Sequence, residues 1–316
     1  MDHTDHTAAT VAAVHAVAAA VAVTAVTAVT AVTAVTAVTA VDLEPDLERR
    51  FGGLRRLYGD AAYRCIRQAR VAVVGLGGVG SWAAEALARS GVARLVLVDL
   101  DHVSESNINR QVQALGSTLG LAKTVALQRR LADIHPGCEL LAVEDFASAD
   151  NWPALLPAAV DVTIDACDQS SAKAALAAWA LASGQALVCV GAAGGKRQVQ
   201  VAVADLADTT HDPLLAALRQ RLRQRGLAPR QGAIGLRCVF SRESVAAPAG
   251  DCTLESAVDE TVNGARDGAL GSTLAGSSLN CHGYGSSVMV TACFGMAAAA
   301  EALALVAAPH APKHPS

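Results

Sequence analysis

The chain has 316 residues, with a formal net charge of −4, 17% charged residues and 3% aromatic residues. Asp2 and Asp5 supply two of the negative charges, and subtracting them from −4 leaves −2 for the remaining chain. This balance excludes a global attraction to nucleic acid, and it excludes a disordered chain dominated by one sign of charge. It predicts a soluble globular protein that would meet any nucleic acid through a local patch.

The N-terminal segment differs in composition from the rest of the chain. Residues 7–41 contain only Ala, Val and Thr apart from one histidine, and Thr-Ala-Val repeats from Thr24 through Val41. A period of three drifts around a helix axis, so the threonines do not settle on one face. The segment is long enough to span a bilayer, but its recurring Thr makes it only weakly apolar. We predict a low-complexity extension over residues 1–41, with membrane association as the alternative, and a single domain over residues 42–316.

The eight cysteines favour a reducing compartment. None of them forms a C-x-x-C pair, so a tetrathiolate zinc site is not expected. They lie in apolar segments, and the chain begins without a basic region or a small-residue cleavage site. We predict free thiols in the cytoplasm. Whether a cysteine such as Cys281 takes part in catalysis stays open.

The first predicted elements form a βαβ unit. Residues 70–75 are a short β-branched run typical of a buried parallel strand, and a glycine-rich turn follows them. Residues 82–90 predict a helix that stops before Gly91, and residues 93–99 predict a second strand. Strand, turn, helix and strand in this order indicate a parallel pair with a helical crossover.

Further elements continue the alternation. Apolar patterns predict helices near 122–134 and 171–183, and strands near 139–143, 160–164, 186–190 and 198–203. We therefore predict an α/β fold, a Rossmann-like doubly wound and mostly parallel sheet with a C-terminal helical and strand extension. Its ligand is expected at the carboxyl ends of the strands. The apolar run from Val288 to Ala308 contains Glu301, which favours a buried or dimer-interface helix over a transmembrane span.

The turn after the first strand has the pattern G-x-G-x-x-G. Its glycines are Gly75, Gly77, Gly78 and Gly80. Glycines let phosphate oxygens approach backbone amides at the N-terminus of the next helix. Asp99 ends the second strand, where a carboxylate can accept hydrogen bonds from ribose hydroxyls. Alone, these residues indicate a dinucleotide site or a glycine turn that binds no ligand.

Cations after the second strand change this interpretation. Arg110 and Lys123 follow Asp99, and Asp168 follows a later strand. Cleavage of ATP between its α- and β-phosphates develops negative charge, which cations positioned beforehand stabilise. Each cation alone could be a surface charge. In this order, the elements resemble the ubiquitin-activating-type (ThiF-like) adenylating superfamily.

Within this superfamily, the chain is similar to the tRNA threonylcarbamoyladenosine dehydratases from about residue 46 to about residue 306. The matching motifs are Arg50-Phe-Gly-Gly53, Gly77 to Arg89, Asp212-Pro-Leu, Cys238-Val-Phe-Ser241 and Gly285 to Gly295. Relatives that adenylate carrier proteins usually have paired C-x-x-C zinc ligands, which are absent here. This chain departs from the dehydratases after Gly195, where Lys196-Arg-Gln-Val replaces an Asp-Pro-Thr turn.

The resemblance implies residue roles. The four glycines would form the nucleotide cradle, Asp99 would bind the ribose, and Asn107 and Arg110 would bind the phosphates. Lys123 would neutralise the α-phosphate and Asp168 would hold Mg²⁺, which makes Arg110, Lys123 and Asp168 the catalytic residues. Asp101 is a weaker candidate. Superfamily members often receive an arginine from a homodimer partner, and the candidates here are Arg50, Arg55 and Arg56.

The activity implied is an ATP-dependent dehydration of threonylcarbamoyladenosine in tRNA. The carboxylate attacks the α-phosphate, pyrophosphate leaves, and a nucleophile in the same substituent closes the ring and expels AMP. The alternatives are an adenylyltransferase for a ubiquitin-like sulfur-carrier protein and a non-catalytic nucleotide-binding module. The sequence does not identify the tRNAs or any sulfur-transfer or redox partner.

A basic segment supports an RNA partner. Between Lys196 and Arg242 there are nine Lys and Arg residues against three Asp, and nine minus three gives +6 in an otherwise acidic chain. The candidates for RNA binding are Arg219, Arg221, Arg223 and Arg225. They form either an arm that grips phosphates or an ordinary solvated helix.

Overall fold

A computed structural model describes residues 44–246 and 284–308. From Asp46 onwards these residues belong to one unit of the chain. The predicted extension over residues 1–41 and the open question of Cys281 lie outside the described residues. The division into an extension and one domain therefore stays a prediction.

Seven strands form one sheet in the order β3-β2-β1-β4-β5-β7-β6. The strands are β1 (Arg70–Val74), β2 (Arg94–Val98), β3 (Glu139–Val143), β4 (Val162–Asp165), β5 (Ala186–Val190), β6 (Ala202–Asp205) and β7 (Arg237–Phe240). Neighbouring strands are parallel except β6 and β7, which pair antiparallel. The predicted α/β, mostly parallel Rossmann-like sheet is confirmed.

Seven α-helices accompany the sheet in the described part of the chain. They are α1 (Leu47–Phe51), α2 (Gly53–Gln68), α3 (Gly80–Arg89), α4 (Lys123–Ile134), α5 (Ser170–Ser183), α6 (Pro213–Gln224) and α7 (Val288–Ala307). Asp46 caps α1 by accepting a hydrogen bond from the Arg49 N–H, and Asp212 caps α6 in the same way for Leu215. Gly184 ends α5 in the left-handed conformation.

Side chains of the central strands alternate between two apolar layers. Val71 and Val73 pack on one face with Leu87 of α3 and Phe294 of α7. Ala72 and Val74 lie in the other layer, which includes Leu176 of α5 and Leu215 of α6. Helices thus cover both faces of the sheet. This coverage explains the continuous apolar runs of the strands.

Helix α7 is the one described helix long and apolar enough to cross a membrane. It packs along α3 and contacts α2, β4 and β5. Gly295 permits this approach, because a Cβ at this position would lie 2.5 Å from the Val79 carbonyl oxygen and 2.8 Å from the Trp82 Cβ. Phe294 and Ala298 are buried beside it. The run predicted as a buried or dimer-interface helix therefore packs within this unit, and a further role at a dimer interface stays a prediction.

One predicted strand is displaced. Residues 198–203 were expected to be extended, whereas β6 begins at Ala202 and lies antiparallel at the sheet edge. The Glu243 carboxylate accepts the backbone N–H groups of Arg197 and Gln198 at 2.8–3.1 Å. The N–H groups of Arg197 and Gln198 therefore bind a side chain rather than a neighbouring strand, and β6 begins further along the chain.

Candidate active site

A cleft opens at the carboxyl ends of the central parallel strands, where the fold places its ligand. The predicted site residues that line it are Gly75, Gly77, Gly78, Asp99, Arg110, Lys123 and Asp168. Residues 191–194, after β5, form the far wall. The fold thus gathers side chains from elements far apart in sequence.

In the glycine turn, two glycines are required by the backbone geometry, and a third leaves open space for a ligand. Gly75 has φ +88°, and a Cβ on Gly80 would lie 1.7 Å from the Gly75 carbonyl oxygen. These two glycines allow the tight turn and the close approach of α3 to β1. Gly77 has no non-neighbouring atom within 4 Å of its Cβ position, so its backbone faces open space in the cleft. That opening leaves room for a ligand phosphate at the start of α3.

Asp99 joins the ends of β1 and β2. Its Oδ2 accepts a hydrogen bond from the Leu76 N–H at 2.6 Å, and its Oδ1 accepts one from the Asp101 N–H at 2.9 Å. Burial raises the pKa of Asp99 above its usual value, although Lys123 and the two N–H groups act in the opposite direction. The carboxylate is held in one orientation at the floor of the cleft.

Lys123 is the first residue of α4, and it is only 6% exposed. Its Nζ lies 2.6 Å from Asp101 Oδ2 and 3.7 Å from Asp99 Oδ1. Asp101 also accepts the Lys123 backbone N–H through its carbonyl oxygen at 2.9 Å. Asp101, a weaker candidate in the sequence, is therefore the residue that holds this ammonium group in the cleft.

Arg110 enters the cleft from the turn that follows the 3-10 helix Glu105–Asn107. Its Nη1 donates to the Ser106 carbonyl oxygen at 2.5 Å and to Asn109 Oδ1 at 2.9 Å. Its own carbonyl oxygen accepts the Trp82 indole N–H at 2.9 Å. Burial lowers the pKa of Arg110 from its usual value, but an arginine keeps its charge in proteins.

Asn107 has a different position from the other predicted residues. It is absent from the described residues that line the cleft, and its Oδ1 accepts a hydrogen bond from the Ser104 N–H at 3.2 Å. It thereby caps the short turn from which Arg110 extends. A phosphate contact by Asn107 stays a prediction.

Asp168 and Cys167 line the cleft from the turn between β4 and α5. The described residues include no cluster of three or more His, Cys, Asp or Glu that could hold a metal ion alone. Mg²⁺ bound to a nucleotide needs only one or two carboxylates, since phosphates and waters supply its other ligands. A single carboxylate at Asp168 therefore fits such an ion.

Sequence reasoning missed the buried polar residues behind this turn. Asp165 and Lys173 form an ion pair in which both side chains are fully buried. On the other side of the cleft, Asp212 accepts the Ala192 N–H at 2.8 Å, and buried Lys196 donates to the Glu243 carbonyl oxygen at 2.7 Å. An aspartate that ends a predicted buried strand was the available signal for Asp165.

The predicted RNA-binding arginines on α6 are largely bound to their own chain. Arg219 donates to the Leu206 and Thr209 carbonyl oxygens, Arg221 to that of Ser170, and Arg223 to that of Pro229, at 2.9–3.1 Å. Arg225 ends the helix with an exposed side chain. The guanidinium groups of three candidates thus stabilise local structure, and their contact with RNA stays a prediction.

The three arginines that are candidates for reaching a partner subunit also differ in their contacts. Arg50 Nη1 donates to the Ile134 carbonyl oxygen at 2.8 Å, at the end of α4 opposite to Lys123. Arg55 forms ion pairs with Glu48 at 2.8 Å and Asp60 at 3.3 Å. Arg56 is exposed and has no side-chain hydrogen bond or ion pair among the described residues.

Comparisons with known proteins find similar chains over most of the length of this one. The ThiF family matches residues 47–315. The chain is 40% identical over 259 residues to the tRNA threonylcarbamoyladenosine dehydratase of Escherichia coli, covering 81% of this chain and 92% of the relative. It is 35% identical to the Haemophilus influenzae dehydratase, over 81% of this chain and 92% of the relative. The crystal structure of the Escherichia coli dehydratase with ATP matches with a TM-score of 0.70 and 37% identity, over 84% of this chain and 98% of that chain.

Proposed function

This chain belongs to the ThiF family, and we propose that it is an ATP-dependent dehydratase of threonylcarbamoyladenosine in tRNA. The main support is the position of Lys123, a buried cation fixed beside the glycine turn by two carboxylates. The relatives named for this activity are similar over nearly their whole length. A hydride-transfer enzyme would not need an ammonium group at this place.

The reaction begins at the carboxylate of the threonylcarbamoyl group. One of its oxygens bonds to the α-phosphorus of ATP, and the bond from that phosphorus to the bridging oxygen breaks, which releases pyrophosphate. A nucleophilic atom of the same substituent then attacks the acyl carbon, loses its proton and displaces AMP. The original carboxylate oxygen leaves with AMP, so the nucleoside loses one water. Proximity within one substituent makes a protein nucleophile unnecessary.

The residues of this chain bind and orient the nucleotide. Asp99, fixed by two backbone N–H groups, accepts hydrogen bonds from the ribose. Lys123 stabilises the negative charge that develops at the α-phosphate, and Arg110 binds the phosphates that leave. Because Asp101 already holds Lys123, the ammonium group needs little reorganisation when ATP enters.

Mg²⁺ is part of this proposal. Asp168 is the carboxylate that would hold it, because it lines the cleft, whereas Asp99 and Asp101, which also line it, are paired with Lys123. When bound, the ion supplies positive charge to the pyrophosphate that leaves. The cytoplasm, where tRNA substrate and free thiols coexist, is the proposed location. The described free thiols belong to Cys65, Cys138, Cys167, Cys189, Cys238 and Cys293.

We also propose a homodimer, in which Arg56 reaches the partner's cleft. The exposed apolar side chains of Leu57 on α2 and Met289 and Met296 on α7 support an interface on these two packed helices. Light scattering on the purified protein is expected to give twice the chain mass. A monomer mass at micromolar concentration would contradict the dimer.

ATP–pyrophosphate exchange tests the proposed adenylation. We expect radioactive pyrophosphate to enter ATP only when tRNA bearing threonylcarbamoyladenosine is present, because formation of the acyl-adenylate is reversible. The matched control is the same tRNA without the threonylcarbamoyl group. Exchange that depends instead on a small ubiquitin-like carrier protein would support the alternative adenylyltransferase and contradict the proposal.

A further inference from the structure

A buried ion pair lies behind the turn that presents Asp168. Lys173 Nζ is 2.7 Å from Asp165 Oδ2, and both side chains are 0% exposed. The same Nζ is 3.3 Å from the Asp165 carbonyl oxygen. Removal of two charges from water is costly, and apolar residues of similar volume often give equal or greater stability. Stability alone therefore does not explain this pair.

The second carboxylate oxygen of Asp165 binds the turn itself. Its Oδ1 accepts hydrogen bonds from the Cys167 backbone N–H at 3.2 Å and from the Cys167 thiol at 2.8 Å. Cys167 and Asp168 are neighbours, and both line the cleft. The Asp165 carboxylate thus connects a buried cation on α5 to the backbone that presents Asp168.

The glycine turn supports the same segment from the side. A Cβ on Gly75 would lie 2.9 Å from the Cys167 nitrogen and 3.0 Å from the Ala166 carbonyl oxygen. The segment from Asp165 to Asp168 is therefore fixed between the ion pair and the nucleotide cradle. A shift of this segment would move Asp168 relative to bound phosphates.

Lys173 stays charged in its buried position. Burial alone would lower the pKa of Lys173, but the adjacent Asp165 carboxylate outweighs it and raises that pKa above its usual value. A charged Lys173 orients Asp165 through Oδ2, which leaves Oδ1 directed at Cys167.

We propose that Asp165 and Lys173 are positioning residues that direct Asp168 toward the cation bound with the nucleotide. They touch neither nucleotide nor metal and act through the turn between them. The inference rests on the proposed function, because it requires Asp168 to act on Mg²⁺–ATP. Loss of the pair is expected to reduce the effect of Mg²⁺ on ATP binding and to leave the binding of metal-free ATP unchanged.

The test replaces the pair with apolar residues of similar shape, Asp165→Leu with Lys173→Met. We expect the variant to fold because the buried charges are removed together, with a thermal midpoint lowered by the loss of the acceptor for the Cys167 N–H. Calorimetric titration with ATP, with Mg²⁺ and with EDTA, is expected to give unchanged affinity in EDTA. The gain in affinity on adding Mg²⁺ should fall by about 10-fold or more, as for other residues that orient a metal ligand.

Asp168→Asn is the matched control, because it leaves the ion pair intact and removes the carboxylate itself. If Asp168→Asn loses the Mg²⁺ effect and the apolar pair keeps it, the inference is overturned and the pair only packs the core. If Asp168→Asn keeps the Mg²⁺ effect, the metal assignment in the proposed function is wrong and the inference falls with it. If the double variant does not fold, the isosteric single variant Asp165→Asn replaces it in the test. A full Mg²⁺ effect in that variant likewise overturns the inference.

Discussion

Lys123 and Asp99 come from different elements, and the fold places their charged atoms 3.7 Å apart on the floor of the cleft. Asp101 lies closer still to the ammonium group, at 2.6 Å. The cation is thus held in place before any nucleotide binds. Preorganised charge of this kind stabilises a transition state without reorganisation at the moment of reaction.

Replacement of Lys123 tests this arrangement. We expect Lys123→Ala to lower kcat by about 100-fold or more, since the cation acts where charge develops. The affinity for tRNA should change little, because Lys123 lies inside the cleft. Arg129→Ala is the control, since it removes an exposed cation from the same helix. Steady-state kinetics and a tRNA binding assay measure both effects. Equal kcat values for the two variants would contradict the role of Lys123.

Single residues were predictable where the signal is local. The spacing of Gly75, Gly77 and Gly80 after a β-branched run predicts a tight glycine turn, and the cations that follow it in the sequence favour a phosphate ligand there. The contact between Lys123 and Asp101 spans 22 positions and depends on where α4 begins relative to the loop after β2. The buried pair of Asp165 and Lys173 likewise requires the packing of α5 against β4, which no sequence pattern specifies.

The arginines of helix α6 are candidates for RNA binding, and they also form contacts within the fold. Its N-terminus is capped by buried Asp212, and its arginines were predicted to grip RNA. Arg219 and Arg221 instead satisfy backbone carbonyl groups of neighbouring segments. Removal of all four arginines would therefore change the stability of the fold as well as its charge.

A comparison of two single variants separates these effects. Arg225→Glu changes an exposed charge at the end of α6, and we expect weaker tRNA binding with a salt dependence reduced by about one phosphate contact. Arg219→Ala should lower the thermal midpoint, because three acceptors lose their donor. Binding measurements at several salt concentrations and thermal unfolding provide the readouts. Unchanged tRNA binding by Arg225→Glu would mean that α6 only supports the fold.

The secondary structure elements differ in how well the sequence predicts them. The strand at Arg70–Val74 was evident from its continuous β-branched run, and the helix at Lys123–Ile134 from its apolar periodicity. Strand β7 has only four residues and depends on pairing with β5 and β6. Before β6, the Glu243 carboxylate accepts the backbone N–H of Gln198 from 45 positions away, a contact that no local pattern predicts.

At the scale of the whole molecule, the topology of the sheet brings the proposed nucleotide-binding residues together. Parallel β1, β2, β4 and β5 end at one edge, and the loops after them supply glycines, acidic residues and cations to one cleft. The cleft contains the cations Arg110 and Lys123 together with four aspartates, which are Asp99, Asp101, Asp145 and Asp168. The two cations can bind the phosphates of a small anionic ligand such as ATP, and the carboxylates suit its ribose and a bound Mg²⁺. The tRNA substrate must then be bound by the surface around the cleft.

The most direct measurement is the mass of the nucleosides in tRNA treated with the protein and ATP. The purified chain is incubated with tRNA bearing threonylcarbamoyladenosine, and the tRNA is digested under mild conditions for mass spectrometry. We expect threonylcarbamoyladenosine to be replaced by a nucleoside lighter by one water, with AMP formed in equal amount. Lys123→Ala and a reaction without ATP serve as controls and should leave the nucleoside unchanged. An unaltered nucleoside in the complete reaction, from protein that binds both ATP and tRNA, would contradict the proposed dehydratase activity.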